Sequence, residues 1–133
     1  MSIEPVLREW FRNDGRRPES QEVHYSGRGV VIRAIDYFSP EDEYTPENLK
    51  HLVFIRPQVF MFTPEEVYNP LAVNVDWSKY DGAAIVCLGK SGWLRSFDHR
   101  HLVNCRHFEV MFYDESLDVI CEGIEAKSGG YAE

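Results

Sequence analysis

The run from residue 98 to 124, DHRHLVNCRHFEVMFYDESLDVICEGI, restricts the fold more than any other part of the chain. Arg106, Phe108, Val110 and Phe112 alternate with His107, Glu109, Met111 and Tyr113, which is the two-residue period of a β-strand. Asp114-Glu115-Ser116 supplies the turn. The even set, continuing Leu102, is the more apolar and is expected to face the core. On the return strand Leu117, Val119 and Cys121 point inward, Asp118 and Glu122 point outward, and Gly123 marks a bulge or strand end. Such a hairpin needs a partner surface for its apolar face, and the preceding residues must provide it.

At the N-terminus, Ile3, Val6, Leu7, Trp10 and Phe11 fall at i, i+3, i+4, i+7 and i+8, the stripe of an amphipathic helix. Ser2 can cap it, Pro5 is tolerated in its first turn, and Asn13-Asp14-Gly15 ends it. After a polar loop over residues 16–21, Val23-His24-Tyr25 and the β-branched run 30–38 read as a hairpin around Gly27 and Gly29. Three hydroxyl-Pro-acid signals follow, at Ser39-Pro40-Glu41, Thr45-Pro46-Glu47 and Thr63-Pro64-Glu65, each the start of a short helix. The second helix should run through Leu49, Leu52 and Val53 until Arg56-Pro57 stops it. Residues 58–62 are apolar on both faces and suit a central strand, and residues 71–75 a short one. Residues 83–88 and 93–97 are expected as strands around Gly89-Lys90-Ser91-Gly92. That triplet is no P-loop, because Ala84 stands where the motif needs glycine.

These elements predict an α+β domain: an N-terminal helix packed on a mostly antiparallel β-sheet, with short helices inserted mid-chain. Strand signals outnumber helical ones, so an all-β sandwich or small barrel is the alternative. Residues 1–126 make one domain and residues 127–133 a flexible tail. The aromatic content of 14% suits a folded core. No apolar run approaches the roughly 18 residues of a membrane span. Glu4, Glu9 and Trp10 stand where a signal peptide would be basic and then apolar, so none is expected. Cys87, Cys105 and Cys121 are odd in number and lack a C-x-x-C, which fits free thiols in a reducing, cytoplasmic setting.

The net charge of −8 is unevenly spread: residues 36–81 carry −6 and residues 109–133 carry −6, against +3 over residues 82–108. An acidic chain repels a phosphate backbone, so nucleic acid is not an expected partner. Four candidate chemistries remain. His99, His101, Cys105 and His107 are zinc-type ligands sharing one strand face. A straight strand would set the outer two roughly 26 Å apart, which leaves only neighbouring pairs. Cys105 with His107 is a candidate nucleophile and base. Asp76, Asp81, Asp98 and Glu109 are candidate paired acids.

The acidic turns are the fourth candidate. Glu41, Asp42, Glu43 and Glu47, with Asp114, Glu115 and Asp118, form a surface suited to a basic protein. The sequence therefore points to a non-catalytic acidic binding domain, an inhibitor, antitoxin or immunity-like protein occluding a basic partner, with no cofactor. The competing reading is a metal-dependent or small-molecule-binding enzyme domain centred on residues 98–107.

Overall fold

Nine short strands among the described residues build two antiparallel sheets, ordered β1-β6-β7-β8-β5 and β2-β3-β4-β9. The computed structural model describes residues 3–10, 18–25, 32–38, 43, 45–80, 82–97 and 99–128. The strands are β1 (Glu4–Pro5), β2 (Glu19–Tyr25), β3 (Ile32–Phe38), β4 (Lys50–Ile55), β5 (Val59–Pro64), β6 (Ile85–Gly89), β7 (Arg106–Met111), β8 (Glu115–Cys121) and β9 (Gly123–Ser128). Among the described residues one four-residue helix, α1 (Gly92–Arg95), and three 3-10 turns complete the regular structure.

The α+β expectation is overturned: among the described residues the regular structure is mostly strand, and no N-terminal helix packs on a sheet. Leu7 has a φ of 54°, which no right-handed helix accommodates. Pro5 instead pairs with Val86 at the edge of the first sheet, where its missing N–H costs nothing. The apolar spacing still serves the core, since Val6, Leu7 and Trp10 pack against it. A stripe this short would make only a marginal helix alone, so tertiary pairing decides the outcome. Phe11 and the expected helix end at 13–15 lie outside the described residues, as do Gly27 and Gly29.

The mid-chain helices shrink in the same way. Pro46–Asn48 is a single 3-10 turn, and Thr45 makes no side-chain cap. Leu52 and Val53 lie in β4, where Leu52 and Phe54 enter the core on one face and His51 is buried on the other. A short apolar run with β-branched residues serves strand or helix, and here pairing with β3 and β9 selects strand. The Thr63-Pro64 signal ends β5 rather than opening a helix. β5 is covered on both faces, as expected, but it is an edge strand and not a central one. Residues 71–75 form no strand, and residues 93–97 contain the end of α1 instead of one. β9 extends to Ser128, so the first two residues of the expected tail are strand, and residues 129–133 lie outside the description.

The sheets share one core. Ile35, Tyr37, Leu52 and Phe54 from one sheet meet Ile85, Phe108, Val110, Leu117 and Val119 from the other. Two strands pass between the sheets side by side: β4 continues into β5, and β8 into β9. The first path holds one extra residue, because Ile55 pairs with Gly123 while Val59 pairs with Ile120. Arg56 takes up that excess in a left-handed conformation, φ 50°, the signature of a bulge that bends the strand. Glu122 N–H donates to the Ile55 carbonyl at 2.9 Å, and Gln58 N–H to the Ile120 carbonyl at 2.8 Å, closing the corner.

The outer face of the first sheet is also covered. Trp93 and Leu94 of α1, with Leu102 and Cys105, pack on Ile120, Val59 and Met61 in a second, smaller cluster. This second layer buries residues that strand alternation alone assigns to solvent. Among the described residues no helix is long and apolar enough to cross a membrane.

Candidate functional site

The outer face of the first sheet is read most easily as ladder rows. Thr63, Ser116 and Met111 form one cross-strand row over β5, β8 and β7. Met61, Asp118 and Glu109 form the next, and Val59, Ile120 and His107 the third. Side chains two apart on a strand share a face, so all nine project on the same side. Water reaches Met111 and Ser116 of the first row, whereas Glu109, Asp118, Ile120 and His107 of the other two are buried.

Within that enclosed part lies a chain of hydrogen bonds. Leu94 N–H donates to Ser91 Oγ at 3.2 Å, the N-cap of α1. Ser91 Oγ lies 2.7 Å from His107 Nδ1, and His107 Nε2 lies 2.5 Å from Asp118 Oδ1. With the proton on Nε2, every donor has an acceptor: Ser91 O–H donates to Nδ1, and Nε2–H to the carboxylate. Trp93 stands edge-on to the His107 ring, centroids 4.9 Å apart. The residue types are those of a serine nucleophile, base and orienting acid. Ser91, His107 and Asp118 are nevertheless all 0% exposed, and the Ser91 hydroxyl is already committed to its helix. This arrangement pins α1 to the sheet. No substrate can reach the hydroxyl in this conformation.

Glu109 sits directly opposite Asp118 and is 4% exposed. Glu109 Oε2 and Asp118 Oδ2 are both buried without a hydrogen-bond partner. Burial, and secondarily the Asp118 charge, push the Glu109 carboxyl up to about 8, so it carries a proton at neutral pH. A second histidine–carboxylate pair, His51 Nδ1 with Asp36 Oδ1, is buried across β3 and β4, on the side of its sheet away from the shared core.

The water-accessible row forms the floor of an open cleft of about 580 Å³. Its walls are the loop after β5 (Glu65, Glu66, Val67, Tyr68, Asn69 and Ala72) and Glu115 at the start of β8. The loop is anchored at both ends. Glu65 N–H donates to the Asp114 carbonyl at 2.9 Å, and Asn69 Nδ2 donates to Thr63 Oγ1 at 2.9 Å and contacts Met61 Sδ at 3.2 Å. Three carboxylates and no basic side chain line the cleft. Tyr68 is 87% exposed and Val67 55%, an unusual outlay of apolar surface on one loop. Partial burial, with Asp114 adding to it, raises the Glu115 carboxyl.

The sequence candidates divide accordingly. Glu115 lines the cleft and Asp114 anchors its wall through its carbonyl, whereas Asp118 is fully buried and offers no surface to a partner. Glu43 and Glu47 are exposed between β3 and β4 and do not line the cleft; Glu41 and Asp42 lie outside the described residues. The four histidine and cysteine ligands do not converge. His99 and His101 meet edge to face on the surface, centroids 4.4 Å apart, Cys105 is buried with Sγ 3.9 Å from the His101 carbonyl, and His107 is tied to Ser91 and Asp118. Among the described residues no three of His, Cys, Asp or Glu gather around a metal position. Burial raises the Cys105 thiol, with Glu122 adding and Lys90 opposing, the reverse of what a nucleophile needs.

Asp76 is exposed and occupied with Ser78, far from the role of a paired acid, and Asp81 and Asp98 lie outside the described residues. Lys90 of the Gly-Lys-Ser triplet donates to the carbonyls of Val103 at 2.8 Å and Cys105 at 2.5 Å, holding the loop before β7. Glu65, expected at a helix start, lines the cleft with Glu66 and Tyr68, and neither these residues nor Ser91 carries a sequence signal for its role. No protein-family model matches the chain, and neither curated proteins nor solved structures give a match.

Proposed function

We propose that the protein is a non-catalytic binding domain of the inhibitor, antitoxin or immunity kind, which occludes a basic partner protein through the cleft beside Asp114 and Glu115. The cleft itself carries this reading: Glu65, Glu66 and Glu115 converge there beside exposed Val67 and Tyr68, with no lining base to neutralise them. Apolar anchors supply affinity, and the carboxylates select and steer a positive partner. A partly desolvated Glu115 gains by meeting a cation, which supports the same reading.

The test uses a short fluorescein-labelled peptide rich in arginine and leucine, beside its glutamate-for-arginine counterpart. Anisotropy should show the basic peptide binding, weakening steeply as salt rises to about 0.15 M. Glu66→Gln combined with Glu115→Gln should weaken it roughly tenfold, as loss of two charge contacts implies. Absence of binding at low ionic strength, or binding indifferent to both substitutions, overturns the proposal.

A further inference from the structure

The cleft floor and the buried acid pair are adjacent rows of one ladder. Glu109 and Asp118 lie one row inward from Met111 and Ser116 and project from the same face. Both are more than nine-tenths buried, and each holds an oxygen without a hydrogen-bond partner. Asn69 spans the two rows from above, bonded to Thr63 on the floor and touching Met61 beside Asp118.

We infer that the occupant of the cleft is a guanidinium-bearing side chain whose binding is coupled to release of the proton held by the buried Glu109. This rests on the docking reading above and specifies its ligand chemistry and its pH dependence. A cation on the floor row stands roughly 7 Å from the acid pair, the repeat of two strand residues. At an effective dielectric near 20, a unit charge at that distance favours ionisation of a carboxyl by roughly one to two pKa units. Glu109, which binds its proton up to about pH 8 in the free protein, then ionises near neutrality in the complex. Arginine suits the role because it brings a charge that cannot itself titrate and a planar fork of donors for the lining carboxylates Glu65, Glu66 and Glu115.

The groups facing Glu109 leave few other sources of a proton. β8 presents Asp118, and β7 itself presents His107, whose two ring nitrogens are engaged by Ser91 and Asp118. β6 presents Val86, and β5 places Met61 beside Asp118; neither titrates. The α1 side contributes Trp93 and Ser91, and the segment before β7 the buried Cys105 thiol. At the cleft mouth, Glu115 also has a raised pKa and is a competing donor.

Calorimetric titration of the arginine-leucine peptide at about pH 7, in two buffers of different ionisation enthalpy, counts the protons released. The expected result is a release of roughly half a proton or more per peptide in the wild type and in Glu115→Gln, with affinity rising roughly tenfold between about pH 6.5 and 8.5. Glu109→Gln should bind without proton release and with a flat pH profile. Wild-type binding with no release and no pH dependence overturns this inference while leaving the docking reading standing. Release that disappears in Glu115→Gln but persists in Glu109→Gln assigns the proton to the cleft mouth and equally overturns it. A peptide that does not bind at all counts against the docking reading and this inference together.

Discussion

Glu109 and Asp118 stand directly opposite each other on β7 and β8, shut off from water, each with one carboxyl oxygen unpaired. Like charges in that relationship are destabilising, and a buried carboxylate more so. Protonation of Glu109 relieves both, which is why its affinity for a proton extends to about pH 8.

Stability should therefore fall as pH rises. In the unfolded chain Glu109 loses its proton near 4.5, and in the folded protein near 8. Between those values the folded state binds more protons, so unfolding free energy declines with pH and the penalty is complete above pH 8. Glu109→Gln keeps the shape without the charge, so its stability should depend less on pH. The difference between variant and wild type should grow from pH 5 to pH 9 by roughly 4 kcal/mol, read from urea titrations at each pH. Parallel curves for the two proteins would contradict the assignment.

Ser91 ties α1 to the sheet through two hydrogen bonds, one to Leu94 and one to His107. Ser91→Ala removes the helix cap, worth about 1 kcal/mol, and leaves a buried imidazole nitrogen unpaired, at about 1–3 kcal/mol. A loss of about 2–4 kcal/mol in denaturant titration is expected. A fluorophosphonate probe should leave native Ser91 unlabelled, because the hydroxyl is sealed.

Much of this was within reach of the sequence, and the failures share a cause. The hairpin of β7 and β8 follows from alternation and an acidic turn, and its inward set of Phe108, Val110, Leu117 and Val119 is the observed core. Centring that hairpin between Tyr113 and Asp114 already sets Glu109 against Asp118, a like-charge pair that signals a proton or a cation. Alternation does not reveal that α1 covers the other face, because a four-residue helix leaves no periodic pattern. The N-terminal stripe misleads for the opposite reason: Val6, Leu7 and Trp10 meet the core from an irregular segment, and burial constrains spacing without fixing the backbone. The cleft depends on a loop meeting the tip of a hairpin some fifty residues later, a contact that no local pattern encodes.

Arg56 sets two small effects against each other. Its ion pair with Glu122, at 3.5 Å and with the arginine side chain 75% exposed, contributes about 0–1 kcal/mol. Its left-handed backbone costs about 1–2 kcal/mol, which glycine would remove. Arg56→Gly should leave stability within about 1 kcal/mol of wild type despite the lost ion pair, since glycine also loosens the unfolded chain. Arg56→Val should destabilise by about 1–2 kcal/mol, because branching at Cβ worsens the same conformation. Thermal melts of the two variants give the comparison, and equal losses would show that the ion pair dominates.

The three thiols report on the same packing. Cys87, Cys105 and Cys121 are all free and buried. Burial, more than any charge, pushes Cys121 up to about 12 and also raises Cys105. Thiolate is the reactive form, so at about pH 8 native protein should react with Ellman's reagent far more slowly than a free thiol. Denaturant should release three equivalents together if the shared core and the α1 cluster unfold as one. Lys90→Met separates them, because Lys90 secures the carbonyls of Leu102, Val103 and Cys105 before β7. In that variant Cys105 should become reactive in the native state while Cys87 and Cys121 stay protected. Simultaneous exposure of all three would mean that the loop is not an independent unit.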